Sequence, residues 1–119
     1  MNKWKAAEIA FEQQAKIFNI SKDFPKEEYY SLTNQIRRSS RAVCANIAEA
    51  YCKKRYIPHL VSKLTDADAE NEETKVWFEI AAQCRYLKEE ELNSLNQLNL
   101  QIGKLLYYMM KNPEKFSYR

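Results

Sequence analysis

Apolar side chains recur along this chain at intervals of three and four residues, the spacing that places them on one face of an α-helix. Four such stretches are separated by short polar or proline-containing segments. The four stripes are Trp4, Ala7, Phe11, Ala15 and Phe18; Leu32, Ile36, Ser40, Val43, Ile47 and Tyr51; Leu60, Leu64, Ala67, Asn71, Thr74, Phe78, Ala81 and Arg85; and Leu92, Leu95, Leu98 or Asn99, Ile102, Leu106 and Met109. The pattern predicts four helices.

Prolines and acidic residues mark the predicted helix boundaries. Pro25 and Pro58 suit the first turn of a helix, three glutamates at 89–91 form an acidic first turn, and Pro113 stops the last helix. We predict helices at about 3–20, 25–55, 58–86 and 89–111, followed by a loose tail at 113–119. Because the connections are short, the expected fold is all-α, an antiparallel up-and-down four-helix bundle in a single domain over 1–119.

Composition supports the helical prediction and excludes several protein classes. A chain of 119 residues with one Gly and three Pro has few residues for hairpin turns or a phosphate-binding glycine loop. No stretch reaches the roughly 20 apolar residues that span a bilayer, and the first residues do not resemble a signal peptide. Cys44, Cys52 and Cys84 form no Cys-x-x-Cys pair, so we expect buried free thiols, no membrane and a cytoplasmic location.

Charge is unevenly distributed along the chain. Positions 37–63 carry seven basic residues against Glu49 alone, whereas positions 66–79 carry six acids against Lys75. The candidate nucleic-acid-binding residues are the members of this basic block: Arg37, Arg38, Arg41, Lys53, Lys54, Arg55 and Lys63. Contact with phosphates through them would be electrostatic and strongly salt-dependent.

Structural explanations of the same residues remain open at this point. Lys53, Lys54 and Arg55 would stabilise the end of a helix whatever their function. Arg37, Arg38 and Arg41 would pair with acids of the third helix, notably Glu72 and Glu73, if that helix packs beside the second. Asn46 and Glu49 lie beside the apolar stripe of the second helix, so Asn46, Glu49, Glu72 and Glu73 are the predicted structural polar network.

Bulky residues occur as neighbours in sequence, at Trp77-Phe78 and Tyr107-Tyr108 among others. Neighbouring residues lie about 100° apart around a helix, so one narrow stripe does not bury both members. Either the apolar stripes are wide, or a second apolar face meets another subunit. We expect the second, with Trp77, Tyr107 and Tyr108 at the interface of a homo-oligomer.

The residue types needed for catalysis are not brought together by any local spacing. His59 is the sole histidine, no Glu-x-x-His motif is present, and the acids from Asp66 to Glu73 lack the glycine-containing loop of a calcium site. We expect no metal, no cofactor and no enzymatic activity.

Several segments together resemble the bacterial family of 23S ribosomal RNA intervening-sequence proteins. They are FPKEEYYSLTNQIRRSS at 24–40, ANIAE at 45–49, SKLTDADAENEETKVW at 62–77, Tyr86-Leu87 and Gly103-Lys104. The chain departs from the family pattern at Cys44, where proline is common, and at Ala50, where glycine is common. The resemblance implies a four-helix bundle that forms a homopentamer, without enzymatic activity.

Two functional hypotheses follow. The first is a non-enzymatic oligomer that binds ribosomal or other RNA through the basic surface of the second helix. The second is a protein scaffold that docks a partner enzyme such as a reverse transcriptase, because the resemblance extends to accessory proteins of diversity-generating retroelements. The orientation of the three arginines separates the hypotheses: exposure on one face favours RNA, and pairing with acids favours the scaffold.

Overall fold

The structure, a computed structural model, describes residues 4–117. Within this range four long helices form, as the periodicity predicts, and no strand occurs. The helices are α1 (Lys5–Ser21), α2 (Asn34–Cys52), α3 (Ile57–Gln83) and α4 (Glu89–Lys111). A 3₁₀ turn at Lys26–Glu28 and a π-helical turn at Tyr29–Thr33 lead into α2, and a second 3₁₀ turn at Pro113–Lys115 follows α4.

The helices pack in chain order, and α4 returns to contact α1, which closes a four-helix bundle. The molecule measures 49 × 25 × 22 Å. Because the connections are short beside this length, neighbouring helices run antiparallel. The α1–α2 face and the α3–α4 face consequently lie on opposite sides of the bundle.

The core consists of two hydrophobic clusters separated by polar side chains. One cluster, at the end where α1 begins, contains Ile47, Leu64, Ile102 and Leu106. The other, at the end where α1 finishes, contains Ile17, Ile36, Phe78 and Leu95. Between them lie buried Gln13, Ser39, Ser40, Asn71, Thr74 and Asn99.

The predicted stripe of α1 is wrong at Phe11 and Ala15, although Ala7 is buried and Trp4 packs against the core as predicted. Phe11 is 57% exposed and Ala15 is exposed, whereas Ala6, Ala10 and Ile17 face the core. Apolar residues occur on two faces of α1, so periodicity alone permits two stripes. The structure buries the stripe of smaller side chains, and small side chains permit close helix packing.

Three predicted helix boundaries are also wrong. α2 begins at Asn34 rather than at 25, because the 3₁₀ turn and the π-helical turn precede it. α2 ends at Cys52, so Lys53, Lys54 and Arg55 lie in the connection rather than in the helix. α3 ends at Gln83 because Arg85 has a left-handed backbone with φ of 65°, and the Tyr86 amide donates to the Ala81 carbonyl at 2.9 Å. This is a Schellman closure, which ends a helix.

The C-terminal segment is not a loose tail as far as residue 117. The turn at Pro113–Lys115 places Phe116 against the core, with its ring centroid 5.9 Å from that of Trp4 and 6.1 Å from that of Tyr108. The remainder of the predicted tail, 118–119, lies outside the described residues.

The prediction of buried thiols is wrong for two of the three cysteines. Cys52 and Cys84 are exposed, and Cys44 is partly buried. All three are free. No helix in the part of the chain that the structure describes has the length and apolarity to cross a membrane.

Candidate nucleic-acid interface

The three arginines of α2 do not share one face. Arg37 and Arg41 are one helical turn apart and point toward α1, whereas Arg38 lies about 100° further around and points toward α3. The orientation of the arginines therefore favours neither hypothesis alone, because the three side chains do not behave alike.

Arg37 and Arg41 gather around the ring of Phe18 on α1. Their Cζ atoms lie 4.7 and 5.5 Å from the ring centroid, and Lys22 Nζ lies 4.9 Å from it. Arg37 Nε also donates a hydrogen bond to Ser21 Oγ at 2.8 Å. Within residues 4–117, these three cations form no ion pair. Cation–π contacts hold them together, and their unneutralised charge gives this surface a positive potential.

Arg38, by contrast, is neutralised by acids of α3. Its Nη2 contacts Glu70 Oε1 at 3.3 Å and also Glu73 Oε2. Trp77 Nε1 donates to Glu73 at 3.0 Å; this hydrogen bond and Arg38 lower the pKa of Glu73, and partial burial opposes them. Glu72 is exposed and lines the α3–α4 side instead, so Glu70 takes the place predicted for it.

The remaining basic candidates are separated from this cluster. Lys63 pairs with Glu49 at 2.8 Å and with Asp66 at 3.7 Å. Lys53, Lys54 and Arg55 follow the far end of α2, about 18 Å along the helix from Arg41 at 1.5 Å per residue. Lys54 Nζ lies 3.8 Å from the Tyr51 ring centroid. The seven predicted residues therefore form no continuous surface.

The predicted polar network is not the buried one. Asn46 is partly buried and donates to the Ala42 carbonyl at 3.0 Å, and Glu49 is exposed. The buried network consists instead of Gln13, Asn71 and Asn99, joined by hydrogen bonds of 3.0–3.3 Å. Asn71 and Asn99 already lie on the predicted apolar stripes. A polar residue on such a stripe was the sequence signal that could have identified the buried network.

Sequence reasoning missed the aromatic part of the candidate interface. Tyr29 and Tyr30 lie in the π-helical turn and are 54% and 88% exposed, with their ring centroids 4.9 Å apart. A π-helical turn often marks a functional position. The antiparallel α1–α2 hairpin brings the end of α1, including Lys22, beside the start of α2.

Two cavities lie where this turn meets the cations. One, of about 450 Å³, is lined by Ser21, Lys22, Phe24, Pro25, Lys26, Tyr29, Thr33 and Arg37. The other, of about 630 Å³, is lined by Tyr29, Tyr30, Thr33, Asn34, Arg37, Arg38 and Arg41. We call the first the corner cavity. Neither cavity is lined by an acidic residue, so this side of the bundle suits an anion.

The predicted interface residues have different environments. Tyr107 is 60% exposed and lines a groove between α3 and α4, together with Leu100, which is 59% exposed. Tyr108 contacts Phe116, and its hydroxyl accepts a hydrogen bond from Lys115 Nζ at 2.9 Å. Trp77 is partly buried against the core. Tyr107 is therefore the most available of the three for contact with another subunit.

No group of three or more His, Cys, Asp or Glu side chains within residues 4–117 is arranged to hold a metal ion. Burial raises the pKa of the Cys44 thiol to about 11, which disfavours the nucleophilic thiolate at neutral pH. His59 is exposed beside Tyr56, with ring centroids 5.7 Å apart. The described side chains that stand out chemically are thus cationic and aromatic.

Comparison with known proteins agrees with this fold. The family model described as 23S rRNA-intervening sequence protein matches residues 2–108. A crystal structure of a protein of unknown function from the S23 ribosomal protein family of Bacteroides thetaiotaomicron is similar, with a TM-score of 0.80 and 29% identity over 89% of this chain and 95% of that one. No curated protein matches the sequence significantly. The chain belongs to the family of 23S rRNA-intervening sequence proteins.

Proposed function

We propose that this protein is a non-enzymatic RNA-binding protein whose ligand lies on the α1–α2 face. The observation that carries the proposal is the set of three cations around Phe18 that no acid within residues 4–117 neutralises. In this proposal Arg37 and Arg41 contact phosphates. Lys53, Lys54 and Arg55 add only to the overall positive potential of the protein. Lys63 and Arg38 already form ion pairs with acids.

The exposed tyrosines extend the proposal from phosphates to bases. Aromatic rings beside a basic surface are typical of single-strand binding, in which bases stack on the rings. Tyr30 is 88% exposed and has little packing to lose when it meets a base. The description of the family names a ribosomal RNA, which favours RNA as the polyanion. RNA and the three free cysteines both suit a cytoplasmic protein.

The test compares Arg41→Ala with Arg38→Ala. Each variant removes one positive charge from α2, but Arg38 is paired with Glu70 and Glu73, whereas Arg41 forms no ion pair among the described residues. We expect Arg41→Ala to weaken binding of labelled single-stranded RNA about tenfold and to reduce the slope of log K against log salt by about 1. Arg38→Ala should remain within about twofold of the wild type.

A variant of Tyr30 tests the stacking contribution separately. Tyr30→Ala should weaken RNA binding by about 1–3 kcal/mol without altering the salt slope, because it removes no charge. Fluorescence anisotropy at two salt concentrations measures both quantities. Equal losses in the two arginine variants, or no binding by the wild type at low salt, would contradict the proposal.

A homo-oligomer is a second proposal, and it rests on α4. Leu100, Gly103 and Tyr107 are spaced by three and four residues, so they share a face, and Leu100 and Tyr107 are mostly exposed. Exposed large apolar residues at helical spacing are typical of a helix that packs against another chain. This face is opposite the basic one, so several copies, five by the family resemblance, would add avidity for RNA.

Light scattering of the purified protein tests the assembly. We expect a mass of several chains, and Leu100→Glu combined with Tyr107→Glu should reduce it by placing charges in the interface. Tyr30→Glu is the matched control and should keep the wild-type mass. A monomeric wild type would reject the oligomer without affecting the RNA proposal, and would leave this face available to a different protein partner.

A further inference from the structure

One buried hydroxyl in the described part of the chain lacks a hydrogen-bond partner. Thr33 is 3% exposed, and its Oγ1 is the only buried side-chain oxygen or nitrogen among the described residues that forms no hydrogen bond. Buried polar groups are nearly always paired, and an exception calls for an explanation.

The π-helical turn explains how the hydroxyl loses its usual partner. Thr65 and Thr74 each donate a hydrogen bond to the carbonyl four residues earlier, at 2.8 Å in both cases. Thr33 ends the wider turn at Tyr29–Thr33, where the carbonyl four residues earlier is not its partner. Its hydroxyl therefore keeps a free donor.

Thr33 lines the corner cavity together with three cations, Lys22, Lys26 and Arg37. Asp23, Glu27 and Glu28 are close in sequence, but none of them lines this cavity. The carboxylate of Glu28 is directed elsewhere, because it accepts hydrogen bonds from Ser31 at 2.7 Å and from Tyr86 at 3.0 Å. The residues that line the cavity therefore combine three positive charges with Thr33, and no acid is among them.

Arg37 is held in place before any ligand arrives. Its Nε donates to Ser21 Oγ, and its guanidinium stacks on Phe18, so its position is defined by α1. Within residues 4–117, no group accepts a hydrogen bond from its terminal Nη atoms. A planar guanidinium with free Nη donors is well suited to bind a phosphate group through two hydrogen bonds.

We propose that the corner cavity is a binding site for a single phosphate group, held by Lys22, Lys26 and Arg37 and by a hydrogen bond from Thr33 Oγ1. The inference deepens the proposed RNA binding, because the RNA source of that phosphate rests on it. A terminal phosphate of RNA and free inorganic phosphate share this chemistry, and the experiment distinguishes them.

The first arm uses inorganic phosphate as the probe and Thr33→Val as the variant. Valine keeps the branched shape and removes the hydroxyl. We expect phosphate to raise the Tm of the wild type and to bind Thr33→Val at least about fivefold more weakly, while the Tm of that variant without phosphate is equal or higher because an unpaired buried hydroxyl is lost. Thr65→Val, which alters a hydroxyl outside the cavity, should bind phosphate like the wild type.

The second arm compares one RNA sequence carrying a 5′-monophosphate with the same sequence carrying a 5′-hydroxyl. The wild type should prefer the phosphorylated RNA about fivefold, and Thr33→Val and Lys26→Ala should lose this preference. Lys26 is exposed, so its variant tests the site even if Thr33→Val does not fold.

The outcomes separate this inference from the proposed function. If both RNAs bind equally and inorganic phosphate does not bind, the phosphate site is rejected while RNA binding stands. If inorganic phosphate binds in a Thr33-dependent manner but neither RNA binds, the site stands and the RNA proposal is rejected.

Discussion

Asn71 and Asn99 exchange hydrogen bonds between α3 and α4: the side-chain Nδ2 of each donates to the main-chain carbonyl of the other, both at 3.0 Å. Asn99 also donates to Gln13 Oε1 at 3.0 Å, which brings α1 into the same network. All three residues are almost completely buried between the two hydrophobic clusters. A buried network whose members satisfy one another specifies how helices align, because a displaced helix would leave its amides unpaired.

We expect Asn71→Ala to lower the free energy of unfolding by about 3 kcal/mol, since it leaves the buried Gln13 Nε2 without its acceptor and removes both hydrogen bonds between the Asn71 side chain and Asn99. Urea denaturation measures the change. Asn93→Ala, an exposed position on α4, is the control and should change stability by less than about 0.5 kcal/mol. Similar effects in the two variants would show that the network is not structurally important.

Phe116 should anchor the C-terminal segment through Trp4. We expect Phe116→Ala to cost about 2 kcal/mol of stability and to shift Trp4 fluorescence to longer wavelength, because the ring that shields the indole is removed. The measurement requires a Trp77→Phe background, since the chain has two tryptophans. Glu114→Ala, at an exposed position in the same segment, should leave the emission unchanged. An unchanged spectrum in Phe116→Ala would mean that the segment does not pack there.

The phenol of Tyr86 should lose its proton at a higher pH than an ordinary tyrosine. Its hydrogen bond to the Glu28 carboxylate, at 3.0 Å, raises the pKa of Tyr86 to about 12. Because the folded-state pKa is the higher one, this interaction contributes fully to stability below pH about 10 and is lost as the pH rises through about 12. Glu28→Gln should return the pKa toward about 10.

The absorbance of the phenolate at 295 nm, taken as the difference from Tyr86→Phe, measures this titration. A difference titration with its midpoint near pH 10 in the wild-type protein would show that the contact with Glu28 does not persist in solution.

The three thiols should react at two rates. Cys52 and Cys84 are exposed, whereas burial raises the pKa of Cys44 to about 11, so Ellman's reagent at pH 8 should modify two thiols quickly and one slowly. Cys44→Ala should abolish only the slow phase. Three equally fast thiols would indicate that Cys44 is as accessible in solution as Cys52 and Cys84.

The local pattern was sufficient to identify the buried faces of α2, α3 and α4. Apolar positions such as Ile36, Val43 and Ile47 recur at helical spacing, and they are all buried. α1 could not be oriented in this way, because Phe11 and Ala15 fit the helical period as well as Ala6 and Ile17 do. Only the surfaces of α2 and α4 decide which of these two faces is covered.

By itself, the sequence determined that the chain is helical, where its four helices lie to within a few residues except at the start of α2, and that positions 37–63 carry a basic block. These properties depend on periodicity and on the chemistry of single residues, which act over one or two helical turns. Only the tertiary structure decided that Arg38 pairs with Glu70 and Glu73 while Arg37 and Arg41 gather with Lys22 around Phe18. Whether a charge is neutralised or left available depends on the helix packed beside it, and that neighbour is distant in sequence.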